Sequence, residues 1–236
     1  MLTKEKIKDF LIGSTLEPIA RGVLKIVRGT PVAEFSTSAD YWERRYSKSE
    51  TSGAGSYGRL AKYKAEVLND FVVQKGISSV IEFGSGDGHQ LSLAKYPNYT
   101  GIDVSETAVI ICREKFAEDT GKTFVTVSEY GGEKADLALS LDVIYHLVED
   151  ETFTDYMSSL FDAADRFVII YSSNKNEQAE AQHVRHRNFT DWVDANRQDF
   201  LLRAHIPNRF PFDIDDPNNT SHADFYIFEK VVIIDF

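Results

Sequence analysis

The chain has 236 residues, 42% of them hydrophobic, which is enough for one large α/β domain with residues left over for an extension. Its 37 acidic side chains against 26 basic ones give a formal net charge of −11, which argues against broad attraction to nucleic acid or anionic lipid and favours a small-molecule partner. The single cysteine, Cys112, lies in the apolar helical pattern AVIICREKF, so no disulfide can form within one chain and a buried structural thiol is expected. The first residues show no leader-like apolar core, and no apolar run nears the roughly 18 residues that span a bilayer, so a cytoplasmic location without a membrane span is expected.

Residues 1–28 carry Lys4, Lys6, Lys8, Arg21, Lys25 and Arg28 against Glu5, Asp9 and Glu17, a basic stretch in an acidic protein. Apolar residues recur there at helical spacing, and Gly13 and Pro18 suggest two short helices. These are expected to pack on the domain or to form a homodimer contact. Next come the cluster Tyr41, Trp42, Arg44, Arg45, Tyr46 and the loop SKSETSGAGSYG, which suits a segment that closes over a ligand. Residues 1–58 are therefore read as a helical extension and lid, and 59–236 as the main domain.

From Arg59 the pattern is regular. A helix is expected over 60–73 and a buried strand at SSVIEFG, followed by a helix over 89–95 and a strand over 99–103. A helix over 106–118, strands over 123–127 and at ADLALSLDV, a helix over 151–164 and the strand RFVIIYSS continue the alternation. FLLRAHI and DFYIFEKVVII add two more strands with no long helix between them, as expected of an antiparallel pair. The fold class expected is α/β: a doubly wound, mostly parallel seven-stranded sheet with an antiparallel last strand pair.

The informative segment is Glu82-Phe-Gly84-Ser85-Gly86-Asp87-Gly88, placed after the first strand and expected to open a helix. Glycines at alternate positions let the backbone approach a ligand, and amides at a helix start face it. The spacing G-x-G-x-G, with His89 where a dinucleotide-binding G-x-G-x-x-G would place its last glycine, disfavours NAD. Asp103 ends the next strand, where a carboxylate can accept from both hydroxyls of a ribose.

These residues resemble the E-x-G-x-G-x-G signature and ribose-binding acid of class I, Rossmann-like methyltransferases that use S-adenosylmethionine, of the bacterial small-molecule type. The likeness runs from about Arg59 to Ser173. It implies that Glu82, Gly84, Ser85, Gly86, Asp87 and Gly88 hold the methionine end of the cofactor and that Asp103 and Val104 hold the ribose. Leu141 and Asp142, in the segment resembling the family's fourth-strand motif, would border cofactor and acceptor. Arg45, in the lid, would pair with the cofactor carboxylate. Ser128 to Tyr130 occupy the position of the adenine-contacting loop without its signature.

Methyl transfer is an in-line displacement, and a hydroxyl acceptor benefits from a base. His146, just beyond the fourth strand, is the first candidate, and His183 and His186 in the segment HVRHR are the next. Arg185 and Arg187 would bind an anionic acceptor, with Tyr41, Trp42 and Tyr145 forming further walls. No residue set has the spacing of a metal site. The expected activity is methylation of an oxygen or nitrogen of a small polar acceptor, such as a saccharide or phosphorylated metabolite. The alternatives are an NAD(P)-dependent oxidoreductase and a non-catalytic partner protein that keeps the cofactor pocket.

Overall fold

The computed structural model describes residues 35–179 and 181–231, so the basic helices and the dimer contact expected within residues 1–28 lie outside the described residues. Helix α1 spans Ser38–Ser47 and helix α2 spans Gly58–Lys75. Then come strand β1 (Val80–Phe83), β2 (Tyr99–Asp103), helix α3 (Glu106–Lys115), β3 (Lys122–Thr126) and β4 (Ala135–Leu141). Helix α4 (Asp150–Asp162), β5 (Ala164–Ser172), the short strands β6 (Glu177–Gln178) and β7 (Arg185–His186), helix α5 (Phe189–Asn196), β8 (Phe200–Ile206) and β9 (Asp224–Lys230) complete it.

Among the described residues, seven strands form one sheet in the order β3-β2-β1-β4-β5-β9-β8. The pairs β3–β2, β2–β1, β1–β4 and β4–β5 are parallel, while β9 runs antiparallel to both β5 and β8. This is the doubly wound arrangement expected from the alternating pattern.

The burial of all of β1, and of β4 apart from Asp136, follows from cores on both faces of the sheet. Leu68 and Val72 of α2 and Val109 and Cys112 of α3 cover one face. Phe153, Met157, Leu160 and Phe161 of α4 and Phe189 and Val193 of α5 cover the other. The strand order reverses at β1 and β4, which opens a crevice beyond their carboxyl ends. No helix among the described residues is long and apolar enough to cross a membrane.

The sequence pattern fails in two places. The helix expected over 89–95 is only one 3-10 turn, Leu91–Leu93. Asn69 of α2 accounts for the stop, because its amide donates to Leu93 O at 3.0 Å and its carbonyl accepts from Lys95 N at 2.8 Å. These bonds replace the ones a continuing helix would have made. The glycine segment therefore leads into turns, and the helix start expected to face a ligand is absent there. Helix α5 and the β6–β7 hairpin also escape the sequence reading, since each is too short to show a period.

Candidate functional site

The crevice holds a cavity of about 360 Å³, within the range of small-molecule sites. Gly84, Ser85 and Gly86 line it after β1, Asp103 and Val104 after β2, and Leu141, Asp142 and Val143 after β4. Gly84 has φ +85°, and a Cβ there would collide with Val143 Cγ2. At Gly86, φ +57°, a Cβ would collide with Ser52 Oγ. Both positions need glycine because backbone and cover approach too closely for a side chain. Gly88 faces Phe116 and Cys112 instead, so its role is packing against α3.

Asp103 clasps the glycine bend. Its carboxylate accepts from Gly86 N at 2.8 Å and from Ser105 N at 2.9 Å. Burial raises its pKa to about 6 against these stabilising bonds. Glu82 is 4% exposed and accepts from Tyr99 OH at 2.7 Å, with burial pushing its pKa up to about 7. Glu82 is thus a partly protonated acid under the loop. Among the described residues, the buried Ser85 Oγ and Gln90 Oε1 have no hydrogen-bond partner, and both residues line the cavity. Buried polar atoms left unpaired in a cavity wall fit a polar ligand that supplies the missing bonds.

Helix α1 and the loop after it roof the cavity. Ser38 N and Oγ donate to the Glu149 carboxylate at 2.9 and 2.7 Å. Glu43 accepts from Ser105 Oγ at 2.6 Å and Thr107 Oγ1 at 2.5 Å, at the start of α3. These bonds hold Glu43 below the usual carboxylate pKa. Asp87 does not line the cavity; it accepts from Ser52 N and from Tyr57 OH, each at 2.8 Å, and so anchors the loop over the glycine bend.

Lys64 of α2 is a second feature that the sequence reading missed. It is fully buried, lines the cavity and lies 2.5 Å from Asp142 Oδ2. Tyr145 OH donates to the other oxygen of Asp142 at 2.8 Å. Asp142 itself adopts φ +61°, a left-handed conformation held by these partners. The available signal was a lysine on the apolar face of α2, four residues from both Leu60 and Leu68.

The expected acceptor residues are only partly brought together. His146 lines the cavity, and burial lowers its pKa to about 4. Its Nδ1 lies 3.1 Å from His183 O, so this nitrogen carries the hydrogen and Nε2 keeps its lone pair. Trp42 also lines the cavity and meets His146 edge-on at 4.9 Å. Tyr41 stacks on His183 at 4.2 Å, behind that pair.

Four other expected residues, His186, Arg185, Arg187 and Arg45, point elsewhere. His186 bonds to Ser173 Oγ at 2.6 Å. Arg185 and Arg187 both pair with Asp150, and Arg187 also donates to Leu147 O and Val148 O, which fixes the backbone after His146. Arg45 directs its guanidinium to Thr51 O, Tyr41 OH and Glu50, and it does not line the cavity.

No protein-family model and no curated protein matches the chain. Solved structures do. Magnesium protoporphyrin IX methyltransferase from Synechocystis PCC 6803, with bound SAH, aligns at a TM-score of 0.61 and 17% identity over 82% of this chain and 98% of that one. The N-methyltransferase NodS from Bradyrhizobium japonicum WM9, in complex with S-adenosyl-L-homocysteine, aligns at 0.64 and 12% identity over 83% and 99%. The chain has the class I methyltransferase fold. Mitomycin 7-O-methyltransferase shares it at a TM-score of 0.54 and 11% identity, over 74% of this chain and 55% of that one. Within the class I fold, the crevice at β1 and β4 holds the glycine bend, Asp103 and the cavity described above.

Proposed function

We propose that the chain transfers a methyl group from S-adenosylmethionine to an oxygen or nitrogen of a small polar acceptor. The observation that carries this reading is the clasp between Asp103 and the Gly86 amide at the mouth of a roofed cavity, beside the unpaired Ser85 Oγ. In this reading Gly84, Ser85 and Gly86 receive the amino-acid end of the cofactor, and Asp103 accepts from the ribose hydroxyls. Lys64 supplies positive charge toward the carboxylate, and Asp142 accepts from the amino group. The described part of the extension read at 1–58, residues 35–58, acts as the lid, and 59–236 as the body that carries the site.

When bound, S-adenosylmethionine supplies a methyl group on a positively charged sulfur. The chain's part is to align the acceptor, exclude water and remove a proton. Helix α1 covers the cavity, and Trp42 with His146 forms a wall for the acceptor. His146, neutral at physiological pH and fixed in one tautomer by His183 O, is placed to take the acceptor proton on Nε2. Lys64 is the one cation among the residues lining the cavity and is held by Asp142, which favours an uncharged polar acceptor such as a sugar hydroxyl over a phosphorylated one.

Calorimetric titration with S-adenosylmethionine, S-adenosylhomocysteine and NAD(P) tests the reading. Saturable binding of the first two and none of the third is expected. No heat with either adenosyl compound would sink it, and protection by NAD(P) alone in thermal unfolding would replace it with the oxidoreductase reading.

A further inference from the structure

We propose that helix α4 carries the base-reading edge of this site, with Asp155 accepting the exocyclic amine of the cofactor's adenine. This rests on the reading of the cavity as an adenosyl site. Four carboxylates line the cavity: Glu82, Asp103, Asp142 and Asp155. The first three have partners and other proposed places on the cofactor: Glu82 lies under the loop and is bonded to Tyr99, Asp103 faces the ribose and is bonded to Gly86 and Ser105, and Asp142 faces the amino group and is bonded to Lys64 and Tyr145. Asp155 has no hydrogen bond or ion pair among the described residues, yet it forms part of the same wall.

The surroundings suit a flat heteroaromatic ring. Val104 and Val127, directly after β2 and β3, are 48% and 57% exposed and both line the cavity. They sit side by side, because Asp103 pairs with Thr126 in the sheet and Val127 N donates to Asp103 O at 3.0 Å. A ribose held on Asp103 therefore places its base over two uncovered apolar side chains.

Thr152, Asp155 and Ser159 follow one another at helical spacings of three and four, so a single face of α4 presents three polar groups to the cavity. Tyr156 fixes the height of that face, its OH bonding to Phe83 O at 2.9 Å and Ser140 Oγ at 2.7 Å. Glu129, the acid in the loop after β3, is already bound to Thr126 N and Arg113. That leaves α4 as the source of the acceptor for the amine.

The test compares binding of S-adenosylhomocysteine and its 6-oxo counterpart, S-inosylhomocysteine, to the native chain, Asp155→Asn and Asp155→Ala, by calorimetry. The native chain is expected to prefer the adenosyl form by about tenfold or more, the size of one charge-assisted hydrogen bond. Both variants should bring the two affinities within roughly twofold, with Asn also free to donate to the 6-oxo group. Circular dichroism and melting curves should match the native chain, because Asp155 is exposed and holds nothing else in place. Variants that keep the native preference would overturn the assignment while leaving the cofactor reading intact. Binding of neither compound by the native chain would overturn both.

Discussion

Lys64 Nζ lies 2.5 Å from Asp142 Oδ2, a buried ion pair that ties the helix before the sheet to the end of its fourth strand. Removing one partner leaves the other charge buried and alone, which costs about 3–5 kcal/mol, whereas replacing both with apolar groups can be close to neutral. Lys64→Met should therefore unfold at clearly lower urea than the native chain, and Lys64→Met/Asp142→Asn, which removes both charges, tolerates the left-handed backbone and keeps an acceptor for Tyr145, should recover much of the loss. A double variant as weak as the sum of the single ones would show that the pair is not coupled.

Stability should respond to pH through two buried groups that act in opposite directions. Below pH 6.5 the unfolded chain protonates His146, while the folded imidazole resists until about pH 4. Stability from this residue is complete above 6.5 and falls as pH drops toward 4. Glu82 is the reverse: its folded pKa of about 7 lies above the usual 4.5, so its contribution is complete below 4.5 and is lost as pH rises toward 7. Each effect is on the order of 3 kcal/mol at its full extent. Denaturation midpoints at pH 4.5, 5.5, 6.5 and 7.5 should show a shallower acid limb in His146→Gln and, in Glu82→Gln, less loss of stability between pH 4.5 and 7 than in the native chain. Unchanged slopes in both variants would contradict the assignment.

Gly84→Ala should destabilise the fold by several kcal/mol, because φ +85° strains any side chain and the new methyl collides with Val143. Adding Val143→Ala removes the collision and leaves the backbone strain. Thermal melts should then show partial recovery in the double variant, and no recovery would mean that the backbone conformation alone decides the cost.

Glu43→Ala removes the carboxylate that α1 shares with Ser105 and Thr107. Global stability should change by about 1 kcal/mol, since the group is half-buried and water can bond to the hydroxyls it leaves. The dissociation rate of S-adenosylhomocysteine, followed by stopped-flow fluorescence of Trp42, should rise several-fold. A rate equal to that of the native chain would show that this fastening does not restrain the cover.

The seven strands of the main sheet, the glycine bend and Asp103 were legible because each depends on a local pattern: short apolar runs, alternate glycines, and an acid closing a strand. Lys64 was not, although its place on the apolar face of α2 was visible, because its partner lies 78 residues away. Glu43 and Asp87 illustrate the same limit from both sides. Glu43 drew no functional reading from the sequence and binds the start of α3, and Asp87 read as a cofactor residue and holds the loop above the glycines. The helix expected after His89 fails for a related reason, since Asn69 on another element answers the backbone there. Periodicity reports which face of a segment is buried and does not report which distant side chain meets it.

The bonds that fasten α1 across the crevice run through hydroxyls and carboxylates: Ser38 to Glu149 on one bank, Glu43 to Ser105 and Thr107 on the other. Water can take the place of each of these contacts. The cover is therefore fastened more like a buckle than a weld, by groups that solvent can satisfy.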